Sequence, residues 1–94
     1  MRTRYRCIHD IVYDLLKTLA YNQYMVKTRL CSYSNLPLDR CNEILSILES
    51  NGLIISRNIG IRTIITITDK GYVYIGLYEQ MTSILRFPHR KPKY

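Results

Sequence analysis

The chain has no apolar run near the roughly 20 residues that a bilayer-spanning helix needs. Its opening residues, Met1 to Arg6, lack the apolar stretch that follows the basic start of a signal peptide. A soluble, intracellular and cytoplasmic protein without a membrane partner is therefore expected. No C-x-x-C pair occurs, and the cysteine count, Cys7, Cys31 and Cys41, is odd, so neither a disulfide framework nor a zinc knuckle is indicated. Reduced, buried thiols are the expectation. Metal ligation by Cys7, His9, Cys31 and Cys41 matches no standard spacing, and an intermolecular disulfide stays open. With no Trp and much Ile and Tyr, the composition would not be odd in a hyperthermophile, where intracellular disulfides occur. Histidine is scarce, at two residues, and Gly52, Gly60, Gly71 and Gly76 form no Gly-rich phosphate loop. No carboxylate pair suggests general acid and base work, so the expectation is a non-enzyme with no cofactor, no metal and no small-molecule substrate.

What is present fits one compact domain. At 94 residues, 47% hydrophobic and 22% charged, the chain is globular in composition but marginal for a single core, which favours oligomerisation. Fourteen basic residues against seven acidic ones give a net charge of +7. The stretch from 7 to 85 balances to zero, so the excess lies at the ends: Arg2, Arg4 and Arg6, then Arg86, Arg90, Lys91 and Lys93. Basic arms on a neutral body suit a polyanion, because each cation placed at a phosphate releases a counterion. The plainer alternative is that the arms confer solubility.

Ile8, Ile11, Val12, Leu15, Leu16 and Leu19 recur at three- and four-residue steps and predict a helix over about 4–20. Met25, Val26, Leu30 and Cys31 suggest a short second helix over 25–32. Pro37 suits a first helical turn, and Leu38, Cys41, Ile44, Leu45 and Leu48 trace the stripe of a third helix over 37–50, stopped by Asn51-Gly52. Two β-branched runs, 53–57 and 61–67, separated by Asn58-Ile59-Gly60, read as a hairpin. Thr68 reads as an N-cap to a fourth helix over 69–86, and 87–94, with two prolines, as a basic tail following a domain of residues 1–86.

Three helices and a hairpin in this order are the layout of a winged helix-turn-helix, an α+β fold, here with an additional C-terminal helix. The segments Lys27-Thr28-Arg29-Leu30, Asn35-Leu36, Leu45 with Leu48, Asn51-Gly52-Leu53-Ile54 and Ile67-Thr68-Asp69-Lys70-Gly71 span 27–71 in order. Through them the chain resembles the archaeal winged helix-turn-helix family, and the flanking helices extend the likeness to about residue 86. The resemblance implies binding to double-stranded DNA, often as a dimer through the helix after the wing, and hence a transcriptional regulator. One departure is Cys41, where the family often has Leu, and a looser local core is expected there.

Candidate DNA contacts follow from position. Lys27, Thr28 and Arg29 lie on the helix that would cross the backbone, Tyr33 lies in the turn, and Arg57 and Arg62 flank the wing. On the outward face of the third helix Asp39, Asn42, Glu43 and Ser46 are expected, with Arg40 to one side. Arg40 and Asn42 are the base-edge candidates. Two carboxylates there repel phosphates and would limit insertion. They also leave open a protein-interaction module, and a non-specific architectural protein is the other rival reading. Most of the nine tyrosines read as half-buried packing residues rather than as base-stacking platforms. On the fourth helix Tyr74, Leu77, Tyr78, Met81, Ile84 and Leu85 fall at the spacing of a homodimer seam.

Overall fold

The computed structural model describes residues 7–85. Element order is α1 (Ile8–Asn22), β1 (Tyr24–Val26), α2 (Lys27–Tyr33), α3 (Leu38–Ser50), β2 (Ile54–Ile59), β3 (Arg62–Ile67) and α4 (Asp69–Ile84). The three helices, the hairpin wing and the added C-terminal helix expected from the sequence are all present. Residues 4–6 of the expected first helix and residue 86 of the fourth lie outside the described residues. In the structure α1 begins after Cys7, its N-cap, and α4 closes at Leu85, its C-cap.

α1 forms on its apolar spacing, and α3 and α4 where apolar spacing and end signals agree. α1 buries Ile11, Val12, Leu15, Leu16 and Leu19 on one face, and ends at Gln23, which takes φ 73°. α3 buries Cys41, Ile44, Leu45 and Leu48. Pro37, extended at φ −57°, is its N-cap and precedes the first turn instead of forming it. Asn51 then caps the C-terminus, and Gly52 at φ 78° supplies the left-handed residue that turns the chain out. At α4 the Thr68 hydroxyl accepts from the Gly71 amide at 3.2 Å and donates to the Gly52 carbonyl at 2.6 Å. One side chain thereby joins the start of α4 to the end of α3.

The second expected helix divides in two. Its first residues, with Tyr24, form β1, pairing antiparallel with β3 as Tyr24↔Thr66, Met25↔Ile65 and Val26↔Ile64. Local periodicity could not show this, because the partner strand lies forty positions along the chain and supplies the hydrogen bonds. The sheet order is β1-β3-β2. Its inner face carries Met25, Ile54 and Ile65 into the core, while Arg57, Ile59, Arg62 and Ile64 lie on the outer face. The hairpin turn is Gly60-Ile61, since Ile59 pairs with Arg62, so it falls one to two residues later than expected.

The cysteines overturn the expectation of reduced, buried thiols. Cys31 of α2 and Cys41 of α3 form an intrachain disulfide with Cα atoms 5.7 Å apart, while Cys7 is free and exposed. Both bridged residues face the core from neighbouring helices, a proximity that their spacing in sequence does not reveal. Cys41 is fully buried, and its bond to Cys31 links α2 to α3 covalently.

Candidate nucleic-acid interface

α2 turns Leu30 and Cys31 inward, which leaves Thr28, Arg29, Ser32 and Tyr33 on its outer side. β1 stops at Val26, opposite Ile64, whereas β3 continues back to Arg62. Beyond the end of β1 the sheet edge is therefore open, and α2 begins there. The resulting groove has a volume of about 600 Å³ and is lined by Val26, Thr28, Arg29, Ser32, Tyr33 and Arg62. Four of the expected contact residues, Thr28, Arg29, Tyr33 and Arg62, thus gather from two elements into one surface feature. Ser32 was missed, although it lies four residues after Thr28 just as Tyr33 lies four after Arg29, the spacing that stacks side chains on one helix face.

Lys27, half-buried, opens α2 outside this lining. Arg57 stands opposite Ile64 and Arg62 opposite Ile59, which puts both arginines on the outer face of the wing, diagonal to one another. Charge is segregated around them. The sequence has no Asp or Glu between Asp14 and Asp39, nor between Glu49 and Asp69, so β1 is uncharged and α2 and the whole wing carry cations alone. All seven acidic residues sit on α1, α3 and α4. A neutral total from 7 to 85 hid this polarisation, which the gaps between acidic positions could have disclosed.

On α3, Asp39, Arg40, Glu43 and Ser46 are exposed, and Ile47 joins them. Arg40 lies 3.9 Å from Glu43 in a solvent-exposed pair, which is worth little in water and leaves the guanidinium available. Asn42 departs from its expected outward position. It is half-buried, and its Oδ1 is enclosed without a hydrogen-bond partner among the described residues. The reason is angular: Asn42 is three residues before Leu45, about 60° round the helix from it, and so sits at the margin of the buried stripe.

The seam expected on α4 also divides. Leu77, Met81, Ile84 and Leu85 are exposed, together with Val73, which sequence reading did not select. Tyr74 and Tyr78, by contrast, face α1 of the same chain. The Tyr78 ring stacks on Tyr13 with centroids 4.2 Å apart, and its hydroxyl donates to Asp10. Tyr74 meets His9 Nδ1 at 2.8 Å. Burial, and then the Asp10 carboxylate, hold the Tyr78 phenol well above its ordinary pKa, and burial raises that of Tyr74. Nearby, Lys17 lies 2.7 Å from Glu79, lowering the Glu79 pKa, while the Tyr13 hydroxyl donates to the same carboxylate at 2.6 Å.

Arg2, Arg4, Arg6, Arg90 and Lys91 lie outside the described residues. Among the described residues no group of three His, Cys, Asp or Glu side chains could hold a metal ion. No helix there is long and apolar enough to cross a membrane.

No known protein-family profile matches the sequence, and no curated protein matches it. Solved structures do share the fold. The chain superposes on Sso10a-2, a DNA-binding protein from Sulfolobus solfataricus, with a TM-score of 0.73 at 20% identity, covering 85% of this chain and 81% of that one. For the PcaV transcriptional regulator from Streptomyces coelicolor the TM-score is 0.68 at 21% identity, covering 79% of this chain and 60% of that one. Sco3205, a MarR family transcriptional regulator from Streptomyces coelicolor solved in complex with DNA, gives 0.66 at 21% identity, covering 82% and 56%. The chain thus spans little more than half the length of the two Streptomyces regulators. With these structures it shares a winged-helix fold.

Proposed function

We propose that the protein is a double-stranded DNA-binding transcriptional regulator that acts as a homodimer. The observation that supports this best is the acid-free strip of α2 and wing, with Arg29, Arg57 and Arg62 on it, beside the third helix of a helix-turn-helix. The DNA complex of Sco3205 and the DNA-binding description of Sso10a-2 support the same reading by analogy of fold. In this reading Lys27, Thr28, Arg29, Tyr33 and the two wing arginines hold phosphates, and Arg40 reads a base edge. Arg2, Arg4, Arg6, Arg90 and Lys91 add contacts from the ends of the chain. An archaeal source, an intracellular site of action and the absence of enzymatic activity belong to this reading as well.

The exposed side of α4 supports the dimer: Val73, Leu77, Met81 and Ile84 recur at three- and four-residue steps with no described residue over them. A two-fold pairing of these helices would hold two copies of α3 at a fixed spacing. The acidic outer face of α3, Asp39 with Glu43, favours a second reading, duplex binding with little sequence preference. Titration with random-sequence duplex, followed by selection of bound sites, separates the two. Strong enrichment of one motif supports the regulator and uniform binding the architectural role, while no binding at moderate salt would overturn both.

A further inference from the structure

We propose that the tip of the wing is an apolar wedge, in which Ile61, supported by Ile59, enters the minor groove of duplex DNA, parts a base step and bends the double helix. The proposal rests on the DNA-binding reading and adds an action to it. β2 and β3 are joined by two residues only, and Gly60 takes the left-handed backbone, φ 63°, that such a turn requires at its first position. The second position is Ile61, whose relative exposure is 104%, and its neighbour Ile59 is 62% exposed. Turn positions of this kind favour Gly, Asn, Asp or Ser, any of which would spare the chain a fully hydrated aliphatic side chain. An isoleucine there is a local choice against folding preference, and such choices mark functional positions.

The tip is also stiff. Directly below the Ile59–Arg62 pair, Thr63 Oγ1 donates to Asn58 Oδ1 at 3.0 Å, linking the two strands through their side chains. The isoleucine is thereby presented at the end of a braced hairpin. Charge selects the occupant: residues 54–67 contain no Asp or Glu, while Arg57 and Arg62 flank the tip. Apolar contact between flanking cations matches a groove with a base stack at its floor and phosphates along both walls. Aliphatic side chains inserted at base steps bend DNA by about 20 to 90°, and the cost of unstacking is offset by the contacts that the bend brings in.

A random-sequence duplex carrying donor and acceptor dyes at its two ends tests the wedge, using the full chain. Binding should raise energy transfer between the dyes. Ile61→Ser should bind within about tenfold of the parent, since the phosphate contacts remain, but should abolish the rise. Arg57→Ala should instead weaken binding and leave the bend of the bound fraction unchanged. Bound DNA that stays straight, or bends equally with Ile61→Ser, overturns the wedge and leaves DNA binding intact, whereas no binding by the parent protein removes both. A shift in oligomeric state on Ile61→Ser would also overturn it, by assigning the tip to a contact between chains.

Discussion

Tyr78 lies flat against Tyr13, with ring centroids 4.2 Å apart and an interplanar angle of 14°, and joins α4 to α1. The two rings do more than fill space, since each hydroxyl donates to a carboxylate on the opposite helix: Tyr78 to Asp10, and Tyr13 to Glu79. Lys17 then neutralises Glu79 from α1. α4 buries only Gly71 and Ile75, and this polar lattice adds its contacts with α1 to the Thr68 and Lys70 bonds at its start.

The lattice makes stability sensitive to pH at both extremes. Glu79 has a lowered pKa, so its contribution is present above the ordinary glutamate value of about 4.3 and is lost as the pH falls through the folded value. Tyr78, Tyr13 and Tyr74 have raised values, so theirs is present below about 10 and is lost as the pH rises through the folded ones. Urea midpoints should fall in both windows, and absorbance should show tyrosines ionising later in the native protein than after unfolding. Coincident native and unfolded titrations would contradict the arrangement.

Alkylation and mass spectrometry should find one reactive thiol in the native, unreduced protein, Cys7, and three after reduction and unfolding. Reduction should cost about 2 to 3 kcal/mol, the range for a cross-link that closes a short loop. A native protein that labels at three cysteines would remove the bridge from the structure.

Two glycines on the same helix should respond oppositely to alanine. A Cβ on Gly71 would stand 2.6 Å from the Leu53 carbonyl oxygen and 2.5 Å from Ile67 Cγ1, whereas one on Gly76 meets nothing within 4 Å. Thermal denaturation should show Gly71→Ala destabilised by about 1 to 3 kcal/mol. Gly76→Ala should gain about 0.5 to 1 kcal/mol from helix propensity. Equal shifts for both variants would refute the close approach of α4 to the α3–β2 turn.

Leu77→Glu combined with Met81→Glu places charge on the exposed side of α4 without touching the α1 contacts. Sedimentation should report a folded monomer, with weaker binding to duplex DNA. A persistent dimer with unchanged circular dichroism would move the interface elsewhere.

The sequence made the helices and the wing legible because their signals are local: an apolar stripe, Pro37 before a helix, Asn51-Gly52 after one, Thr68 at a cap. β1 was illegible because Tyr24 to Val26 become a strand only through residues 64–66. The disulfide was hidden for the same reason, as was the division of α4, whose Tyr74 and Tyr78 needed α1 to show which way they face. In the candidate interface, Thr28 and Arg29 could be chosen from their place on the second helix and Tyr33 from the turn expected after it. Their meeting with Arg62 depends on where β1 ends, which no short-range pattern records.

β1 also determines the order in which the chain can assemble. The β2–β3 hairpin closes across two residues, but β1 must find β3 across the whole helix-turn-helix, so its loop closure costs more entropy and is expected later. In the native structure β1 is what joins α2 to the sheet beside the wing, so the groove between them depends on its docking. Amide exchange in the native protein should therefore show Tyr24 to Val26 opening before the hairpin does, as a local unfolding that undoes the groove while sparing the strand pair.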